Sequence, residues 1–169
     1  VTTACHQTQD AVSFKIESAL LRQHQIAIRI RFPYPTGQWK DIGNNWNDNE
    51  SISTAKQISD TAAAISVGWN NPGVWINASW TQRAKLNTKA FNYYLINPES
   101  TSPVFEFNCN FFESVFHATS IKPFSFPNTY NSSIVEYKKF WMSGGAVDFS
   151  ATTDPRAFEL ERRVVLSQY

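Results

Sequence analysis

Alternation of apolar and polar residues dominates the first two thirds of the chain. From Gln25 to Phe32, Ile26, Ile28, Ile30 and Phe32 alternate with Ala27, Arg29 and Arg31. Successive side chains of a strand point to opposite faces, so the run predicts a strand with one buried and one wet face. Ala11 to Ser18 repeats the pattern, with Val12, Phe14 and Ile16 set against Ser13, Lys15 and Glu17. The short joint at Leu21 to His24 makes the two runs a candidate hairpin. Further strands are expected over Thr61–Trp69, Val74–Trp80, Lys89–Leu95 and Val104–Phe111. Asn70-Asn71-Pro72-Gly73 is a turn signal between two of them, and Asn97-Pro98 and Ser102-Pro103 mark another break. Several strands joined by short turns predict an antiparallel sheet or β-sandwich.

Two stretches depart from this period. Pro33 to Ser59 is polar, rich in Asn and Asp, and reads as a long loop of the kind that carries function or moves. Asn128 to Met142 places Ile134, Tyr137, Phe140 and Trp141 at helical spacing. After a Gly144-Gly145 turn and a short apolar strand, Thr153 or Asp154 is a good N-cap, and Pro155 suits a first helical turn. Leu160 and Val164 lie on one face of the expected helix with Ala157, and Phe158, Val165 and Tyr169 form another row. No Gly, Asn or Pro closes this helix before Tyr169. The reading is a linker helix that leads toward a further domain, with part of its apolar surface left uncovered here. No internal repeat interrupts the pattern.

The run SGGAVDFS followed by DPRAFELERRVVLSQY resembles a group of bacterial glycoside hydrolases. These belong to the superfamily of maltose phosphorylases, acid trehalases and related six-hairpin glycosidases. The resemblance extends to RIRFPYPTG (Arg29 to Gly37) and to the opening VTTACHQTQDAVSFKIESALL. It implies an N-terminal β-super-sandwich of galactose-mutarotase-like form, joined by linker helices to an (α/α)6 barrel that carries the catalytic carboxylates. On that reading residues 1–150 are the later part of the β-sandwich domain and residues 151–169 start the linker helix. The catalytic residues then lie beyond Tyr169, and the catalytic barrel is a partner of this chain.

Composition fits such a domain. The chain has 169 residues, 42% hydrophobic and 17% charged, with a formal net charge of +1. That balance gives no reason to expect nucleic acid or an anionic membrane surface as partner, and no apolar stretch is long enough to span a bilayer. Two cysteines, Cys5 and Cys109, are too few for a disulfide framework, and the pairing of the two stays open. Neither a metal nor another cofactor is expected, because Cys5, His6, His24, Cys109 and His117 have no zinc-like spacing. Sequons at Asn49, Asn77 and Asn131 matter only in a eukaryotic secretory host. A periplasmic or secreted setting is favoured over the cytoplasm.

The long loop carries the candidate chemistry. Trp39, Asp41, Asn45, Trp46 and Asp48 combine aromatic faces with planar polar groups, which suits stacking and hydrogen bonding to a sugar. The alternative is a solvated loop pinned to the sheet by its tryptophans. Asp41, Asp48 and Glu50 are not read as a glycosidase pair, because closeness in a loop does not set two carboxylates across a sugar. A mutarotase-like site would need His6, His24 or His117 with Glu106 or Glu113, and their spacing does not single them out. Trp141, Gly144, Gly145 and Asp148 are candidates for the junction between β domain and barrel, either as turn-formers or as part of its rim. The expected function is a non-catalytic β-domain of a glycoside hydrolase that braces the α-barrel catalytic domain, with the loop as a candidate contributor to its sugar site. A stand-alone carbohydrate-binding module and a sugar isomerase are the alternatives.

Overall fold

The computed structural model describes residues 1–46, 50–68, 73–99, 101–113 and 125–168. Among these residues lie nine strands: β1 (Thr2–Cys5), β2 (Ala11–Glu17), β3 (Ile28–Arg31), β4 (Ser53–Ser59), β5 (Ala62–Val67), β6 (Val74–Trp80), β7 (Ala84–Ala90), β8 (Tyr93–Pro98) and β9 (Val104–Phe112). Two α-helices follow, α1 (Phe126–Phe140) and α2 (Ala157–Gln168). The strands form two antiparallel sheets, a six-stranded one in the order β1-β2-β9-β6-β5-β4 and a three-stranded one in the order β3-β8-β7. The protein is therefore mainly β and sandwich-like, with a C-terminal helix.

The core follows from the alternation. Val12, Phe14 and Ile16 of β2 and Phe105, Phe107 and Cys109 of β9 share one face of the large sheet, with Ile76, Ala78 and Trp80 of β6 and Ala63 and Ile65 of β5. Ile28 and Ile30 of β3, Tyr94 and Ile96 of β8, and Ala84 and Leu86 of β7 meet them from the small sheet. Full burial of each large side chain contributes about 1.5–3 kcal/mol. The opposite face of the large sheet is polar yet covered. There Ser13, Asn108 and Asn110 are buried, and Ser13 Oγ donates to Thr129 Oγ1 of α1 at 2.8 Å.

Several elements differ from the sequence expectation. Ala11–Ser18 and Gln25–Phe32 do not form a hairpin, because β2 pairs with β1 and β9 while β3 pairs with β8 in the other sheet. The joint between them is a 3-10 helix, Ala19–Gln23, capped by Ser18 and ended by His24 in the left-handed region. Its Leu21 is driven into the core, which an interstrand turn does not require. The run expected as one strand over Lys89–Leu95 is the β7–β8 hairpin, broken at Asn92 with φ of 58°. The end of the expected long loop, from Ser53, is β4, whose alternation is masked by Thr, Lys and Gln. β1 was not foreseen, and no strand follows Gly145 among the described residues. Val74–Trp80 matches β6 residue for residue. The Asn70-Asn71-Pro72 part of the expected turn lies outside the described residues.

Both cysteines are free. Cys5 lies opposite Val12, and Val12 opposite Cys109, so two strand spacings of about 4.8 Å separate them. A disulfide requires Cα atoms within about 7 Å. Among the described residues no helix is long and apolar enough to cross a membrane.

The chain divides into two compact units, Val1–Tyr130 and Asn131–Tyr169. In the second unit α1 passes into a π-type turn, Trp141–Gly145, in which Gly144 adopts φ of 112°. A side chain rarely tolerates that conformation, so the turn requires glycine. Asp148 Oδ1 then accepts the Ser150 N–H at 2.8 Å, and Glu161 Oε2 accepts the Phe149 N–H at 2.9 Å. Just before α2, Asp154 Oδ1 accepts the Arg156 N–H at 2.9 Å. On α2, Glu159 receives both Arg162 and Arg163, whose hydrogen bonds lower its carboxyl to about 2. Phe158 and Leu160 remain 78% and 53% exposed.

Candidate functional site

Strand β3 is an edge strand, and its period sets the site. Ile28 and Ile30 turn into the core, so Arg29 and Arg31 project together from the outer face of the small sheet. Arg31 lies opposite Tyr93 of β8. Its guanidinium stands 5.6 Å from the Tyr93 ring centroid and 5.3 Å from that of Trp46. Arg31 Nη2 also donates to the Trp46 carbonyl at 2.6 Å. One side chain thus fixes both the backbone and the ring of Trp46, by a charge-assisted hydrogen bond and by cation–π attraction.

The loop that delivers Trp46 is organised by its own short contacts. The Tyr34 N–H donates to the Asn45 carbonyl at 2.8 Å, which closes the two ends on each other. Asp41 braces the interior: Oδ2 accepts the Thr36 N–H at 2.5 Å and Oδ1 accepts the Gly43 N–H at 2.9 Å. These bonds favour the carboxylate and hold the Asp41 carboxyl below its ordinary value. Gly37 and Gly43 take φ of 70° and 65°, which admits the tight path. A loop closed at its ends and braced by its own groups is a structured Ω-type element.

The far end of the loop is anchored from the β7–β8 turn. Asn92 is 1% exposed. Its Oδ1 accepts the Ile52 and Ser53 backbone N–H groups at 2.8 and 3.0 Å and the Ser53 hydroxyl at 3.0 Å. Its Nδ2 donates to the Glu50 carbonyl at 2.8 Å. Tyr94 lies 2.9 Å from the same Ser53 hydroxyl. Nearby, the Tyr34 hydroxyl donates to the Glu50 carboxylate, which raises the Tyr34 pKa.

Arg29, Arg31 and Trp46 line an open depression of about 420 Å³. Trp46 is 47% exposed there, enough to offer ring surface. Of the expected sugar contacts, Trp46 is the one brought to the sheet face. Trp39 is 98% exposed, with no ring contact among the described residues. Asp41 serves as the brace of the loop, and Asn45 as its closing acceptor. Asp48 lies outside the described residues. Arg29, Arg31, Tyr93 and Asn92 were not foreseen as site residues. The two arginines read as the wet face of a strand, and the two-residue spacing that sets them side by side was the available signal. The junction candidates Trp141, Gly144, Gly145 and Asp148 lie in the second unit, described above.

The histidines are spread. His24 Nδ1 lies 3.2 Å from the Pro98 carbonyl and its backbone ends the 3-10 helix, while the His6 ring accepts the Thr8 N–H at 3.4 Å. His117 lies outside the described residues. Among the described residues no group of three or more His, Cys, Asp or Glu side chains is placed to hold a metal.

No family model matches the chain, and no curated protein or solved structure is significantly similar to it.

Proposed function

We propose that this chain is a non-catalytic β-domain of a glycoside hydrolase and that it contacts carbohydrate at the Trp46 depression. The single observation that carries the carbohydrate reading is the clamp on Trp46. Arg31 holds a half-exposed indole in place beside a concave polar surface. A ring fixed before binding loses little entropy when a pyranose stacks on it. The place in a larger hydrolase rests on the resemblance of the SGGAVDFS and DPRAFELERRVVLSQY runs, and the exposed apolar residues of α2 are consistent with it.

The carboxylates of the loop support a role without catalysis. A general acid needs a raised pKa, whereas Asp41 is lowered and both its oxygens accept backbone N–H groups. Glu50 is engaged by the Tyr34 hydroxyl. The domain would brace a catalytic barrel and add one sugar contact.

Titration calorimetry of the chain against a panel of oligosaccharides tests this reading. Binding is expected, with Trp46→Ala weakening it at least about fivefold through lost ring contact. The same samples are expected to release no product from aryl glycosides. Equal affinity in the Trp46→Ala variant, or turnover abolished by Asp41→Asn, would contradict the proposal.

A further inference from the structure

We infer that the open edge of β3 is a docking strand for an extended partner segment of alternating apolar and acidic residues. Strand addition here does not depend on carbohydrate binding. The Phe32 N–H donates to the Asn92 carbonyl at 3.0 Å, and β3 pairs with β8 in unbroken register. Hydrogen-bonded pairs alternate along an antiparallel ladder, so Phe32, Ile30 and Ile28 are the residues that bond toward β8. The N–H and carbonyl of Arg29 therefore point away from the sheet, at its edge. An unpaired edge of this kind is a template for a further strand.

The core opens on the same side. On the other side of the sandwich Gln57 of β4 bridges the two sheets. Its Nε2 donates to the Ala84 carbonyl of β7 at 2.9 Å, and its Oε1 accepts the Leu86 N–H at 3.0 Å. With β7 tied to β4 at the edge of the large sheet, the strand order carries β3 toward β9 and β2. Burial follows that order. Tyr94 and Ile96 of β8 are buried, but Ile28 and Ile30 of β3 are half-buried. On the large sheet Phe105 and Phe107 of β9 are buried, but Val12 and Phe14 of β2 are half-buried. A strand added beside β3, about 4.8 Å further out, would extend the small sheet over Val12 and Phe14.

The two faces of β3 set the chemistry of that strand. Its inward side chains would meet half-buried apolar residues, so they are apolar. Its outward side chains would stand beside Arg29, which is exposed and engaged by no ion pair among the described residues. Residues directly opposite on neighbouring strands bring their Cβ atoms to about 4.5–5.5 Å, where opposite charges attract and like charges repel. An acidic residue is favoured there. A second copy of β3 would set arginine opposite arginine, so it is the poorer occupant.

The experiment titrates the chain at low salt with capped octapeptides that alternate valine or phenylalanine with glutamate. Matched peptides carry lysine in place of glutamate, or N-methyl groups on the glutamate amides, which face the edge when glutamate lies opposite Arg29. At least one glutamate peptide is expected to bind saturably, about fivefold more tightly than its lysine counterpart. Binding is expected to protect the Arg29 amide from hydrogen exchange and to shift the Phe14 ring resonances. N-methylation is expected to abolish it. Arg29→Glu is expected to turn the preference toward lysine peptides. Arg29→Gln, expected to remove the preference, serves if the charge reversal prevents folding. Failure of every peptide to bind overturns the inference, as does equal binding of the N-methylated peptides. A glutamate preference that survives the Arg29 variants, or binding that leaves Phe14 unmoved, overturns it as well.

Discussion

Arg31 and Asp41 divide the task of holding the loop: Arg31 fixes it to the sheet, and Asp41 fixes it to itself. Arg31 works through a 2.6 Å hydrogen bond and two ring contacts. Asp41 works through two backbone N–H groups, from Thr36 and Gly43. The Asp41 bonds make the loop sensitive to acid. The folded carboxyl lies below its ordinary value, so its contribution is present above the unfolded value of about 3.9 and is lost as pH falls through the lower folded value. The amide resonances of Thr36 and Gly43 are therefore expected to be constant at neutral pH and to shift together only below the ordinary aspartate range. Asp41→Asn is expected to remove that step. A shared inflection at or above the ordinary aspartate value would contradict the assignment of Asp41 as the brace.

The β7–β8 hairpin is the element that couples the small sheet to the start of β4. Its Asn92 does two things at once: the side chain satisfies the Glu50–Ser53 backbone, and the backbone adopts a left-handed φ of 58°. Asn92→Ala is expected to destabilise the protein by roughly 2–4 kcal/mol, through buried backbone groups left unpaired and about 1 kcal/mol of backbone strain. Denaturant unfolding checks it, and a loss under about 1 kcal/mol would contradict the role given to Asn92. This hairpin also marks the limit of what the sequence made legible. Strands with clean alternation, such as β2, β6 and β9, were readable because one face is apolar and the other is not. β4 was hidden because its outward residues are Thr54, Lys56 and Ile58 while its inward ones include Ser53 and Gln57. Asn92 was hidden because a single Asn between Phe91 and Tyr93 interrupts an otherwise apolar run. The pairing of β2 away from β3 was not legible, because the joint between them is a 3-10 helix whose Leu21 is buried, a tertiary matter that local spacing does not encode.

At the scale of the molecule, the small sheet supplies a face and the structured loop sets Trp46 against it. The polar stretch was legible as a loop from its composition as far as Ser53, where β4 begins. What composition could not separate was which tryptophan touches the sheet. Trp39 and Trp46 have similar polar neighbours in sequence, yet only Trp46 falls beside an arginine on the facing strand. Phe158, Leu160 and Leu166 are left exposed on α2; Phe158 and Leu160 lie on different faces, one in each helical row read from the sequence, so a single contact cannot cover both.

The central claim is that carbohydrate binds on the face of Trp46. Its most direct test is to follow the indole N–H resonances of the chain during titration with neutral and acidic oligosaccharides, assigning Trp46 by its loss in Trp46→Phe. The Trp46 indole is expected to shift saturably, with Trp39 unmoved. A titration in which Trp46 stays still, or in which Trp39 alone responds, would contradict the account.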